Sequence, residues 1–201
     1  SQLEVRLLNK KITIGADGLV GAIEVDGGYS VLSEPMRLVL IGASSPTPIA
    51  LKPTAPRPTL TGQNGTGIYW TARLTGAGVV VVVRGSVEFD SFLTFAVEMA
   101  SAGDALELAD VRLETTVARE HARFMCGFGV EGVHAQPVQW RWSMGTGNNG
   151  LWSGRVEAGV FVKLRGPGPK WEDPMYSSDY GTIPFIPDTW GGANATGTTQ
   201  H

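Results

Sequence analysis

Short apolar stretches broken by turn residues fill the first forty positions of the chain. Leu3–Leu8, Lys11–Ile14, Leu19–Val25 and Met36–Ile41 each have the length and composition of a β-strand. Between them, Asp17-Gly18 and Asp26-Gly27-Gly28 supply residues that accept the positive φ of tight hairpins. Further on, Gly67–Leu74 alternates: Ile68, Trp70 and Ala72 fall on one face, Tyr69, Thr71 and Arg73 on the other. Val79–Val83 is an unbroken β-branched run, which predicts a strand buried on both faces. Ser86–Met99 continues through Val87, Phe89, Phe92, Phe95 and Val97, with an irregularity expected near Asp90-Ser91.

Ala105–Phe124 fits two periods. Leu106, Ala109, Leu113 and Val117 would share a helical face, whereas Leu106/Leu108 and Val111/Leu113 alternate as strand pieces. The β-branched Thr115, Thr116 and Val117 favour strand, with a turn expected at Asp110. Strand patterns resume at Val138–Ser143, Leu151-Trp152 and Arg155–Leu164, and Asn148-Asn149-Gly150 predicts a hairpin between the first two. Two stretches lack periodicity. Ser44–Thr59 carries prolines at 46, 48, 53, 56 and 58 and reads as a surface loop, because the strands before it are too few for an independent core. Gly166–Trp190 mixes five prolines with five aromatics, enough apolar surface to predict an ordered loop docked through Trp171 and Trp190. The fold expected is all-β, an antiparallel β-sandwich with long Pro/Gly-rich loops, forming a single domain over residues 1–201.

Composition sharpens this picture. With 27 Gly and 12 Pro in 201 residues, turn formers make up about a fifth of the chain, against roughly 12% in average usage. Charged residues are only 17%, and 16 Lys+Arg against 19 Asp+Glu give a net charge of −3. Such a chain lacks the basic footprint that nucleic acid or an anionic membrane surface would require. The longest apolar run, Val79–Val83, is far short of the roughly 20 residues of a membrane-spanning helix. A signal peptide is absent from this chain, and an extracellular or periplasmic location is the expectation.

Motifs with chemical potential are few. Gly127-Phe128-Gly129-Val130-Glu131-Gly132 matches the dinucleotide-binding pattern, but that pattern needs a helix to begin there. The sequence that follows, Val133-His134-Ala135-Gln136-Pro137, is a poor helix start, so a glycine-rich connection between strands is expected instead. Cys126 excludes an internal disulfide by standing alone, and its neighbours Phe124, Met125 and Phe128 suggest an inert thiol rather than a nucleophile served by His121 or His134. Three histidines and one cysteine offer no metal-ligand pattern, and no cofactor is expected. Asn64-Gly65-Thr66 and Asn194-Ala195-Thr196 fit the glycosylation acceptor pattern, which matters only in a eukaryotic secretory host.

Carboxylates and aromatics remain. Glycoside hydrolysis needs two carboxylates flanking a bond. The weak candidates are Glu88 with Asp90, which would share a face of a regular strand, and the adjacent Glu172-Asp173. Their bland reading is a solvated face or a turn. Trp140 and Trp142 fall on one face of a strand and, with Trp152, fit a sandwich core or a surface equally in kind. The loop aromatics Trp171, Tyr176, Tyr180 and Trp190 are harder to bury together. They are the candidate carbohydrate contacts, since an indole or phenol face stacks on the C–H face of a sugar ring.

Several segments then carry a resemblance. Val87-Glu88-Phe89-Asp90 through Phe92-Leu93, Ala122–Met125, Trp140-Arg141-Trp142, Asn149–Gly154, Ala158-Gly159, Lys163–Gly166 and Trp190-Gly191-Gly192 occur in that order. Over residues 80 to 195 this resembles the β-sandwich region preceding the catalytic barrel in glycoside hydrolases similar to family 123. The resemblance implies a reaction, substrate-assisted removal of N-acetylhexosamine, that uses an adjacent Asp-Glu pair on the barrel. A 201-residue chain has no room for a barrel as well, and Glu172-Asp173 stands in the opposite order, so no catalytic residue transfers. The expectation is a carbohydrate-associated module, not catalytic alone, whose partners are a carbohydrate or a neighbouring catalytic domain. The alternative is a structural, self-assembling extracellular β-protein whose loops wrap neighbouring copies.

Overall fold

The computed structural model describes residues 2–25, 28–103 and 105–122, and beyond them strands at 124–127, 130–131, 139–141, 150–155, 158–163 and 196–198. Among these residues the fold is all-β, without a helix, and every strand pairing is antiparallel. The chain divides into two compact units, Ser1–Ala118 and Arg119–His201.

In the first unit, β1 (Leu3–Leu7), β2 (Lys10–Ile14), β3 (Val20–Val25) and β4 (Tyr29–Ser30) form a meander. The chain runs on into β5 (Leu32–Gly42), whose partner is the distant β11 (Leu108–Val117). Val31, at the joint, donates its N–H to the Ile23 carbonyl (2.8 Å) and accepts from Ala118 N–H (2.8 Å), tying the two pairings together. A larger sheet holds β10 (Leu93–Ser101), β9 (Val79–Glu88) and β8 (Gly67–Gly76) in that order, with β6 (Lys52–Pro53) and β7 (Thr59–Gln63) both on the outer side of β8. Leu40 of β5 and Leu74, Val79, Val81 and Val83 of the larger sheet are buried in one cluster with Leu19. Met36, Leu38, Phe95 and Leu108 pack onto it, giving a sandwich-like unit with one apolar layer between sheets.

The valine run departs from the expectation. Val79, Val81, Val83 and Val87 are buried, while Val80 and Val82 are only half-buried. A pleated strand sends alternate side chains to opposite faces, and only the inner face of β9 meets the second sheet. The run is nonetheless central in its sheet, between β8 and β10, where its backbone is paired on both edges.

Trp70 anchors the inner face. It is 1% exposed, and its indole Nε1 donates to the Gly18 carbonyl at 2.9 Å. Gly85 lies directly across from it on β9, and a methyl group on Gly85 would overlap the indole ring. Beyond Gly85 in the same row, Phe95 meets Trp70 edge-on, with ring centroids 6.2 Å apart. Gly18 itself has φ +82°, and a Cβ there would come within 2.8 Å of Ala72 Cβ. The Asp17-Gly18 turn expected from sequence thus presses onto the sheet, in a place and a backbone conformation that exclude a side chain.

Three other expectations change in detail. The Pro-rich segment 44–59 is not a free loop: Ile49 N–H donates to Leu40 O, Thr54 N–H to Arg73 O, and Lys52-Pro53 pairs with β8. Proline is tolerated there because the strand is short and at the sheet's edge. The irregularity at Asp90-Ser91 is a full reversal between β9 and β10. Asp110 sits at a register shift, not a turn, within a strand that continues to Val117.

The second unit pairs β13 (Val130–Glu131), β12 (Phe124–Gly127), β15 (Gly150–Arg155) and β16 (Ala158–Lys163) in that order. β14 (Gln139–Arg141) pairs with β17 (Thr196–Thr198). The edges of β15 are taken by β12 and β16, and the turn expected at Asn148-Asn149-Gly150 lies, but for Gly150, outside the described residues. β15 turns back into β16, with Arg155 opposite Ala158. The expected loop Gly166–Trp190 lies outside the described residues.

Candidate functional site

Glu88 is the last residue of β9, and the reversal to β10 uses three residues, Phe89, Asp90 and Ser91. Ser91 N–H donates to Glu88 O and Glu88 N–H to Phe92 O, both at 2.9 Å, with Ser91 at φ +78°. This is the three-residue hairpin in which a type I turn ends on a left-handed residue. Asp90 Oδ1 accepts from Phe92 N–H at 2.9 Å, so the carboxylate closes its own turn. Glu88 and Asp90 are both exposed and do not share a strand face, because the strand has ended between them. Phe89, 70% exposed, caps this tip and donates its N–H to Thr66 O of the neighbouring hairpin (3.2 Å). In that hairpin Asn64 Oδ1 accepts from Thr66 N–H, Thr66 Oγ1 and Gly67 N–H within 2.8–2.9 Å.

The outer face of the larger sheet is built differently from the inner one. Register places Tyr69, Ser86 and Thr94 in one row, Thr71, Arg84 and Ala96 in the next, and Arg73, Val82 and Glu98 in the third. The Tyr69 ring lies beside Gly62 of β7, where an added methyl group would sit in ordinary contact with it (3.5 Å). Arg84 and Glu98 form an ion pair across the strands. Arg73, by contrast, has no carboxylate partner among the described residues. At the end of the face, Arg73, Val80, Val82, Glu98, Ala100 and Ser101 line a shallow, open cavity of about 460 Å³. The alternation read from Gly67–Leu74 had already put Tyr69 and Arg73 on one face. What the sequence did not signal was that β10 would bring Glu98 beside them.

A second open cavity, of about 350 Å³, lies along the β2–β3 meander beside Lys10, Lys11 and Glu24. Lys11 and Glu24 are paired there at 2.9 Å. Asp17 has its carboxyl held above the ordinary range by burial, partly offset by the N–H of Leu19, which donates to Oδ1 at 3.0 Å. That carboxylate shapes the Gly18 turn.

The G-x-G-x-x-G stretch forms the β12–β13 hairpin, with Cys126 opposite Glu131 and Gly127 opposite Val130. The described residues of that stretch, Gly127, Val130 and Glu131, are strand, in keeping with the expected connection between strands, and its other residues lie outside the described ones. Cys126 also faces Trp152 in backbone register. His121 is buried, whereas His134, Trp142, Glu172, Asp173 and the loop aromatics Trp171, Tyr176, Tyr180 and Trp190 lie outside the described residues. Among the described residues no three His, Cys, Asp or Glu side chains gather to hold a metal ion. Among the described residues no helix is long and apolar enough to cross a membrane, which says nothing of spanning by strands.

Comparison with known proteins gives one family match: the family described as glycoside hydrolase 123, third domain, covers residues 1–201. The match is wider than the segments 80 to 195 that carried the resemblance in the sequence. No curated protein and no solved structure matches the chain.

Proposed function

Because the chain belongs to the glycoside hydrolase 123 third-domain family, we propose that it is a non-catalytic, carbohydrate-associated module that works beside a glycosidase domain. The match over residues 1–201 carries this reading. The placement of the described carboxylates supports it: Asp90 is committed to its hairpin turn, and Glu88 stands exposed at the strand end, three cross-strand rows from Glu98, the other carboxylate on that face. A retaining or inverting pair needs two carboxyl groups at roughly 5–9.5 Å, directed at one bond. In this reading Trp171, Tyr176, Tyr180 and Trp190 supply stacking surfaces for sugar rings, and the module operates outside the cytoplasm, where polysaccharide substrates are met.

A glycan array probed with the 201-residue chain tests the reading, followed by titration with the oligosaccharides retained. Binding that weakens about tenfold on replacing Trp171 or Trp190 by alanine, one lost stacking contact at about 1.4 kcal/mol, would support it. Absence of binding to every glycan class would overturn it.

One observation favours the second reading, assembly from copies of this chain. Val111 and Leu113 of β11 lie on the core-facing side of their strand pair yet remain 43% and 44% exposed. Light scattering across a concentration series decides this: a mass that stays at 21.3 kDa removes it.

A further inference from the structure

The two faces of the β8-β9-β10 sheet are made by the same three strands, but their chemistry differs sharply. By register the outer face of these three strands carries one aromatic, Tyr69, and no Trp, Phe, Leu or Ile. Its charges are largely self-neutralised through Arg84 and Glu98, which fits neither a polyanion nor a lipid surface. It offers one aromatic platform, short hydroxyls from Thr71 and Ser86, and a cavity floored by Val80 and Val82 with Arg73 and Glu98 at its sides. A pyranose has the matching character: C–H faces that stack on apolar surface, and equatorial hydroxyls that donate to a carboxylate and accept from a guanidinium. Tyr69 and Arg73 are four residues apart on β8, roughly 13 Å of strand, the reach of a short oligosaccharide rather than a single sugar.

We infer that this outer face is a glycan-binding surface in its own right, with a chain of sugars laid along β8 from the Tyr69 ring to the Arg73–Glu98 cavity. The inference rests on the carbohydrate reading above and adds to it a site built from residues of the first unit. Tyr69, 39% exposed, is the stacking platform. Arg73, with no carboxylate partner among the described residues, donates to ring or hydroxyl oxygens. Glu98, held by Arg84, accepts from hydroxyls at the cavity end.

The test is calorimetric titration of the full 201-residue chain with chitohexaose, cellohexaose and a galactosamine-terminated oligosaccharide, repeated for Tyr69→Ala, Arg73→Ala and the blocking variant Val82→Arg. All three positions face solvent, and circular dichroism melts at the wild-type temperature certify that the variants fold. The expected result is binding of at least one oligosaccharide by the wild type, weakened about tenfold by each variant, while Trp171→Ala leaves a residual sugar-binding event in the calorimetric trace. Wild-type binding that all three variants retain in full overturns this inference and leaves the carbohydrate reading standing. If the wild type binds none of the probes and no array glycan, both fall together.

Discussion

The inner and outer faces of one sheet show how the period-2 pleat separates two kinds of work. Tyr69 and Trp70 are neighbours in sequence, yet one is 39% exposed and the other 1%. On the inner side every position is conditioned by the next layer: Gly85 is absent of side chain because the indole of Trp70 fills its space, and Gly18 gives its carbonyl to that indole. On the outer side neighbours tolerate one another loosely, through exposed ion pairs and hydroxyls. Substitutions inside should therefore be read in stability, and substitutions outside in binding.

The largest expected effect is at Gly85. Gly85→Ala places a methyl group into the Trp70 ring, and overpacking against a rigid indole should cost about 3 kcal/mol or more, read from urea unfolding. The same substitution in a Trp70→Leu background should cost much less than the sum of the two single changes, since the clash is gone. Equal additive costs would show that Gly85 is not matched to Trp70. Next is Trp70→Phe, which keeps an aromatic plug but leaves the Gly18 carbonyl without its donor. About 2 kcal/mol of destabilisation is expected, from the smaller ring and the unpaired buried carbonyl.

Asp17 sharpens the comparison through pH. Burial raises its folded pKa above the ordinary carboxylate value, so the stability it contributes is fully present below the unfolded pKa and is lost as pH rises through the folded one. Asp17→Asn keeps an oxygen for the Leu19 N–H and carries no charge to bury. It should therefore gain stability relative to the wild type as pH rises from the acid range to neutrality. Asp17→Ala should follow the same pH trend but lie about 1 kcal/mol below Asp17→Asn at every pH, by leaving that N–H unsatisfied. Thermal melts of the three proteins across the acid-to-neutral range check both signs. The smallest effect belongs to the outer face: Arg84→Ala should change stability by less than about 0.5 kcal/mol, because both partners are exposed. A larger loss would mean that the outer face also carries part of the fold.

What the residues alone determined was the class of structure and the local faces. Alternation in Gly67–Leu74 put Trp70 and Tyr69 on opposite faces, the Asp17-Gly18 dipeptide marked a positive-φ turn, and β-branched residues decided for strand at Thr115–Val117. These are short-range signals, set by side-chain sterics and a repeat of two residues. The tertiary structure alone decided which strands meet. β5 pairs with β11 across more than sixty intervening residues, β14 with β17 rather than with the strand that follows its turn signal, and Val80 and Val82 stay half-exposed because no second layer of described residues covers them. Pairing and layering depend on which surfaces lose water together, a property of the assembled chain that no window of sequence contains. The same reason places Glu98 beside Arg84 and Arg73, and so makes the outer face one surface instead of three separate strands.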